Sequence, residues 1–128
     1  MPKAKQLILS HENRPGMLAQ IAQVLGDAEV NIIACLTSTS GTEGITHLVV
    51  DNTDNAKKAF ARAALRCREE DVLQVELPNT PGELAKLATK LADKNINITL
   101  GYATSEKGSK KTSVVLAVSD LDKAAGIR

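Results

Sequence analysis

The feature that most constrains this sequence is an internal repeat. The segment RPGML at residues 14–18 returns as TPGEL at residues 80–84, and VNI at 30–32 returns as INI at 96–98. Both motifs repeat at the same offset: the number of residues from Pro15 to Pro81 equals the number from Asn31 to Asn97. A later match, Val50 with Val118, has a slightly longer offset, which indicates two extra residues in the second copy. The chain is therefore predicted to contain two copies of one supersecondary unit.

The size and composition agree with two small domains. A chain of 128 residues allows two units of roughly 60 residues each, which are marginally stable alone and usually rest on a neighbour. Hydrophobic residues make up 43% of the chain and aromatic residues only 2%, so we expect aliphatic cores. We predict a first domain at 1–70 and a second, shortened at its C-terminal end, at 71–128.

Periodicity indicates the same order of elements in each copy. The first helix is predicted to begin at Pro15, with Leu18, Ile21, Ala22 and Leu25 on one face, toward the core. The second strand is predicted to place Val30, Ile32, Ala34 and Leu36 on one side. In copy one the predicted strands are 6–10, 30–39, 45–51 and about 65–69, and the helices 15–28 and 54–64. In copy two the predicted strands are 72–77, 96–103 and 112–118, with a helix at 81–93 and the two extra residues in the 105–111 loop.

This order predicts an α+β fold of the ferredoxin-like type, a βαββαβ unit with helices on one face of an antiparallel sheet. Copy two is expected to lack the last strand, because only one turn of helix fits before Arg128. The sheet edge left bare by that loss would pair with another chain or be covered by the sheet of copy one. Of these alternatives we expect a homodimer.

The Pro-Gly turn is the candidate site in each copy. It lies between the first strand and the first helix, where the first helical N–H groups have no internal partner and the helix dipole is positive. Gly16 and Gly82 leave that backbone unshielded, so that a small carboxylate can approach. Asn31 and Asn97 offer amides that both donate and accept hydrogen bonds. Together these groups suit a free amino acid, although Pro-Gly and Asn also occur as simple turn residues.

Other functions find little support in the sequence. The formal net charge is +1, without the basic patches or stacking aromatics that nucleic-acid binding requires. The apolar runs are too short to span a membrane, and Cys35 and Cys67 suit reduced thiols in a cytoplasmic protein. We expect no catalytic residues, no metal site and no cofactor, because His11 and His47 stand alone and no phosphate loop or nucleophile elbow is present.

These motifs resemble the ACT domain, and the tandem arrangement resembles the stand-alone proteins with two ACT domains and no attached enzyme. The resemblance implies units paired side by side and amino-acid binding at their interface, by the first loop of one unit and the second strand of its neighbour. The implied ligand-binding residues are Asn13, Arg14, Pro15, Gly16, Met17, Leu18, Asn31 and Ile32 in copy one, and Asn79, Thr80, Pro81, Gly82, Glu83, Leu84, Asn97 and Ile98 in copy two.

The predicted function is therefore that of a regulatory protein, not an enzyme. It would bind a free amino acid, with a lean toward apolar or branched-chain ligands because the nearby walls are aliphatic, and would modulate an amino-acid metabolic enzyme. The alternative is an interaction module or regulatory subunit that acts without a ligand. Glu83 departs from the pattern, because it puts a negative charge at the second loop unless it forms a capping box with Thr80 as the N-cap.

Overall fold

The computed structural model describes residues 1–128 and divides the chain into two compact units. The first unit is Lys5–Glu70, and the second unit combines Asp71–Arg128 with Met1–Ala4. The strands are β1 (Lys3–Glu12), β2 (Ile32–Ser40), β3 (Glu43–Val50), β4 (Arg68–Pro78), β5 (Ile98–Ser105) and β6 (Lys111–Val118). The helices are α1 (Met17–Asp27), α2 (Thr53–Arg62), α3 (Glu83–Asp93) and α4 (Leu121–Ala125). None of these helices combines the length and hydropathy needed to cross a membrane.

The first unit confirms the ferredoxin-like prediction. Its strands are antiparallel in the order β2-β3-β1, with Leu7 opposite Leu48 and Leu48 opposite Cys35. Both helices cover the same face, where an aliphatic core surrounds Phe60, the one buried aromatic side chain. The fully buried members of this core are Leu7, Leu9, Ile21, Leu25, Leu48, Ala56 and Phe60.

Helix α1 begins two residues later than predicted, and its buried face is rotated. The core residues are Met17, Ile21 and Leu25, at the four-residue spacing of a helix. Met17 is 7% exposed, whereas Leu18 is 45% exposed. The prediction that Leu18 faces the core is therefore wrong, because the Pro-Gly turn starts the helix with Met17 pointing inward.

A β-bulge near the start of β2 changes the predicted alternation. The register shifts between Ile32 and Ala34, so Ile32 packs against the core under the helices while Ala34 lies opposite Val49 on the other face. The bulged residue, Ile33, is 42% exposed. The prediction that Ile32 and Ala34 share one side is wrong, because a bulge inserts one residue and exchanges the faces beyond it. The second unit has the same shift between Ile98 and Leu100.

The second unit repeats the arrangement on a smaller scale. Its strands follow the order β4-β6-β5, and Leu73, Leu87, Leu91 and Leu116 form the centre of its core. Asp120 caps α4 by accepting a bond from the Lys123 backbone nitrogen, as Asn52 caps α2 by accepting one from Asn55. Asn52 and Asp120 are separated by the same longer offset as Val50 and Val118 at the ends of β3 and β6. This agreement confirms the two-residue insertion in the second copy.

Residues 1–4 occupy the place of the missing last strand in the second unit. No strand follows α4, as predicted, but the Pro2 carbonyl oxygen accepts a hydrogen bond from the Gln74 amide at 3.0 Å. The Met1 amino nitrogen donates to the carbonyl oxygens of Ala125 at 3.0 Å and Ile127 at 2.7 Å. The edge of β4 that we expected to be bare is therefore covered within the unit itself.

Candidate functional site

Each Pro-Gly pair forms a type II turn that fixes the start of a helix. Gly16 has φ 88° and ψ −5°, and Gly82 has φ 88° and ψ −7°, the values of the third residue of such a turn, where glycine is required. The first intrahelical bonds run from the Gln20 amide to the Gly16 oxygen and from the Lys86 amide to the Gly82 oxygen. The helical N–H groups that precede these bonds have no partner within the helix.

The asparagines before these turns hold the loops to the neighbouring hairpins. The Asn13 side chain donates to the Gly41 oxygen at 2.9 Å, and its backbone nitrogen donates to the Thr42 oxygen at 3.0 Å. Asn79 makes the matching bonds to Ser109 and Lys110, both at 2.9 Å. Both side chains therefore already have a structural hydrogen bond, and their main effect is to position the turn.

A cavity of about 460 Å³ opens beside the turn of the second unit. This second-unit cavity has the start of α3 on one side and the β5–β6 hairpin on the other. Its walls combine aliphatic side chains with hydroxyl, amide and carboxylate groups. They are formed by Leu77, Pro78, Asn79, Thr80, Glu83, Leu84, Ala103, Ser105, Thr112 and Val114. Four predicted residues, Asn79, Thr80, Glu83 and Leu84, thus meet at one concave surface.

Glu83 does not form the predicted capping box. The N-cap of α3 is Gly82, without a side-chain cap bond. The Thr80 hydroxyl instead donates to Glu83 Oε1 at 3.4 Å, and Lys86 Nζ lies 3.1 Å from the same oxygen. The capping-box prediction is wrong because the type II turn places glycine, not Thr80, at the cap. Lys86 offsets part of the Glu83 charge, which a nearby anion would otherwise meet.

The corresponding space in the first unit is occupied by His11. This residue corresponds to Leu77 at the spacing of the repeat, and it lies opposite Gly44, whereas Leu77 lies opposite Thr112. His11 Nε2 is 2.8 Å from the Thr46 hydroxyl, which is 2.9 Å from that of Thr37. Its Nδ1 donates to the Glu12 carbonyl oxygen at 2.8 Å. The two units therefore differ where they should be equivalent, with a bonded imidazole in one and an open cavity in the other.

The first loop borders a different cavity, of about 330 Å³. Arg14 and Met17 contribute to it, together with Ser10, His11, Glu12, Gln20, Ala64, Leu65 and Arg66. Arg14 is held by Glu12, with Nε 2.9 Å from Oε2. Leu18 and Leu84, at matching positions, are the exposed aliphatic residues of the two helix starts.

The second-strand residues lie at the other end of each unit. Thr39 pairs with Gly44 close to the first loop, whereas Ile32 pairs with Val50. From Thr39 back to Asn31 a strand extends about 26 Å at roughly 3.3 Å per residue. The backbone N–H of Asn31 donates to the Asp51 carboxylate at 3.0 Å, and the backbone N–H of Asn97 donates to the Ser119 hydroxyl at 2.9 Å. Within one unit, the loop residues and Asn31, Ile32, Asn97 and Ile98 are not brought together.

Sequence reasoning missed the hairpin side of the second-unit cavity. Ala103, Ser105, Thr112 and Val114 line it, but they carry no motif. Their signal was the strand register, since Ala103 pairs with Val114 and Ser105 with Thr112, and a correct hairpin alignment would have placed them beside the loop.

Two ferredoxin-like units in tandem, each with a type II Pro-Gly turn before its first helix, define a duplicated α+β domain. A sequence profile described as an ACT domain pair matches residues 3–127. The chain therefore belongs to the ACT domain pair family, a family of regulatory domains, which confirms the resemblance.

Individual relatives extend this comparison. The chain is 29% identical to an aspartokinase from Corynebacterium glutamicum over 142 aligned residues, covering 96% of the chain but only 32% of the aspartokinase. It thus spans about a third of the length of that relative. A solved structure of a protein from Bacteroides thetaiotaomicron is similar with a TM-score of 0.89 and 29% identity, over 96% of this chain and 84% of that one.

A second structure, the ligand-free regulatory subunit of aspartate kinase from Thermus thermophilus, has a TM-score of 0.67 and 18% identity. The alignment covers 97% of this chain and 89% of the subunit. At this identity the similarity shows a shared fold.

Proposed function

We propose that this chain is a regulatory protein that binds a free amino acid and thereby modulates an enzyme of amino-acid metabolism. The observation that carries the proposal is the second-unit cavity, which joins the open start of α3 to aliphatic and polar walls. An amino acid needs donors for its carboxylate, acceptors for its ammonium group and a surface for its side chain. This cavity offers all three.

Each group of the ligand has a counterpart in the cavity. The unpartnered N–H groups at the start of α3 would donate to the carboxylate. The Glu83 carboxylate, which already accepts from Thr80, would accept from the ammonium group. Leu77, Leu84 and Val114 would contact the side chain, which favours an apolar or branched-chain amino acid. No cofactor and no catalytic step are part of this proposal.

The target enzyme is proposed from the relatives. The aspartokinase of C. glutamicum contains a region similar to nearly the whole of this chain, and a regulatory subunit of aspartate kinase shares its fold. We propose that this chain acts as such a regulatory unit and contains no catalytic site of its own. An aspartokinase, or an enzyme of similar metabolism, is the proposed partner.

A homodimer is part of the proposal, with a second copy of the chain as the proposed source of another unit for the remaining implied residues. The loop residues and the second-strand residues Asn31 and Asn97 lie at opposite ends of a unit, so one ligand can contact both groups only between two units. A second copy of the chain can supply the other group. β2 and β5 each end the strand order of their unit, and edge strands tend to pair with another chain. The proposed location is the cytoplasm.

The proposal is tested by a thermal-shift screen of the twenty amino acids, each added alone to the purified chain. A ligand at 100 times its dissociation constant should stabilise the protein by about 2.7 kcal/mol. Leu84→Ala should weaken that shift, because Leu84 lines the second-unit cavity. Leu18→Ala is the matched control, since Leu18 occupies the same place in the first unit and is similarly exposed, 45% against 54% for Leu84.

Two results would count against this function. If no amino acid raises the melting temperature, the chain works as an interaction module without a ligand. If Leu84→Ala and Leu18→Ala reduce the shift equally, the ligand lies outside the second-unit cavity. Light scattering of the purified chain tests the homodimer separately.

A further inference from the structure

The first unit contains a second concave surface, which the proposed amino-acid site does not use. A cavity of about 470 Å³ is lined by Ile8, Ser10, Arg66, Cys67 and Arg68. We propose that this arginine cavity binds a small dianionic oxyanion, a phosphoryl group or a dicarboxylate. The proposal is independent of the proposed function, because all its residues lie in the first unit and none lines the second-unit cavity.

The segment that leads into β4 puts both arginines on one face. After α2 the chain turns back through Ala64, which has φ 57°, and the Leu65 amide donates to the Phe60 oxygen at 2.9 Å. Leu65 and Cys67 then pack against the core under the helices. Because side chains alternate along an extended segment, Arg66 and Arg68 are directed to the opposite face.

The facing strand supplies the rest of this surface. On β1, Leu7 and Leu9 belong to the core under the helices, so Ile8 and Ser10 lie on the face that carries the arginines. Ile8 is buried and forms an apolar base, while the Ser10 hydroxyl can donate a further hydrogen bond. Two guanidinium groups, one hydroxyl and an apolar base thus meet around a single opening.

The charge of this face is not neutralised within the unit. Arg66 has no hydrogen bond or ion pair in the structure, and Arg68 only reaches Glu70, at 4.0 Å. Glu69, which alternation places on the helix side, is engaged by Lys57 at 2.8 Å and Lys5 at 3.7 Å. The cavity therefore retains an excess of positive charge.

The donor geometry selects the class of ligand. Guanidinium groups present forked N–H donors that match phosphate and carboxylate oxygens in pairs, and these charge-assisted bonds are among the strongest in proteins. Two arginines two residues apart, one just before β4 and one at its start, suit an anion with two charges better than a single carboxylate. A free amino acid, whose net charge is near zero, fits this surface poorly.

The second unit has no equivalent site. There residues 1–4 lie beside β4, with Pro2 bonded to Gln74, the residue that corresponds to Ile8 at the spacing of the repeat. The basic residue of that segment, Lys3, is paired with Asp122 at 2.7 Å. The second unit therefore has no counterpart of the arginine cavity.

The test is an NMR titration of the full chain with inorganic phosphate and, separately, with succinate, at constant ionic strength maintained with chloride. Saturable shifts of the amides of Ile8, Ser10 and residues 66–68 with either probe are expected. Arg66→Ala should weaken the apparent affinity by about tenfold or more, since it removes a charge-assisted bond. Arg62→Ala is the matched control, because Arg62 lines a different cavity on the helix side.

The proposal is overturned if neither probe gives saturable shifts at these amides, or if Arg66→Ala and Arg62→Ala have the same effect. Arg66 and Arg62 are both exposed, so Arg66→Ala and Arg62→Ala should both fold, which their melting temperatures will verify. Saturation by phosphate alone assigns a phosphoryl ligand, and saturation by succinate alone assigns a dicarboxylate. The thermal-shift screen of amino acids reports on the other unit, so failure of one proposal leaves the other standing.

Discussion

The contact between His11 and Gly44 predicts a substitution whose effect changes sign with its background. A Cβ atom added to Gly44 would lie 2.5 Å from His11 Cε1 and 2.8 Å from Nδ1. Gly44 does not have a positive φ, so alanine is acceptable to the backbone and the imidazole is the obstacle. The ring is held by its bonds to the Thr46 hydroxyl and the Glu12 oxygen, both at 2.8 Å.

The magnitude follows from those two bonds. In Gly44→Ala the ring must move away and lose both, at about 0.5–1.5 kcal/mol each, which costs about 1–3 kcal/mol. Alanine offsets about 0.5–1 kcal/mol of this loss by its preference for a strand over glycine, so the variant should be less stable by up to about 2.5 kcal/mol. In a His11→Ala background the clash is gone, and alanine should instead stabilise the strand by about 0.5–1 kcal/mol relative to glycine. The gain from alanine is common to both backgrounds, so the coupling energy between the two substitutions is the cost of the two lost bonds, about 1–3 kcal/mol.

The assay is urea unfolding of the four chains of this cycle, followed by far-UV circular dichroism and extrapolated linearly to water. Gly26→Ala provides the control, since a Cβ there meets no atom within 4 Å and alanine should add about 1 kcal/mol in a helix with or without His11. If Gly44→Ala destabilises both backgrounds equally, the imidazole does not fill this space and the explanation for the difference between the units fails.

Two predictions concern pH. Burial lowers the pKa of His47; the charge of Glu70 opposes this shift, and that of Arg68 adds to it. As the pH falls, the unfolded chain therefore takes up this proton before the folded chain, and stability should fall below about pH 6.5, the unfolded pKa. His47→Gln should flatten this dependence of stability on pH, measured by urea unfolding between about pH 7 and 5. The hydrogen bond from Lys3 and its charge lower the pKa of Asp122, so this contribution to stability is present above the unfolded pKa of about 3.9 and is lost as the pH falls through the folded value. NMR titration of the Asp122 carboxyl should show its pKa rising in Lys3→Met and remaining unchanged in Lys107→Met; no rise in Lys3→Met would rule out the pairing.

The repeat allowed most of the fold to be predicted because both copies carry the same periodic signals. Most strands and the long helices follow from apolar spacing, and the hairpin insertion follows from the longer offset of the motifs that come after it. The prediction of separate strands at 65–69 and 72–77 is wrong, because the chain continues without a turn through one strand, β4 (Arg68–Pro78). Local backbone geometry was harder to predict. The bulge at Ile33 has no signature in the amino-acid composition of β2, so the change of faces could not be read from it. The left-handed conformation of Gly16 moves the start of α1 to Met17.

The covering of the second unit by residues 1–4 could not be predicted from periodicity. The segment is too short to carry a strand pattern, and its partners Gln74, Ala125 and Ile127 all lie in the second half of the chain. Only the three-dimensional closure of the unit brings them together. The missing last strand was visible in the sequence, but its replacement depends on contacts between distant parts of the chain.

The candidate site was predicted in its motif and not in its asymmetry. Pro-Gly is needed in both units for the type II turn, so its recurrence reports on the scaffold and not on binding. The difference lies in two pairs that face each other across strands, His11 with Gly44 and Leu77 with Thr112. These residues face each other only because of the strand register, so the difference in cavity between the units depends on residues that no linear motif contains. A duplicated fold can therefore keep its turns identical and still open this cavity in one copy alone, because the residues opposite the loop, not those within it, decide whether the space is filled.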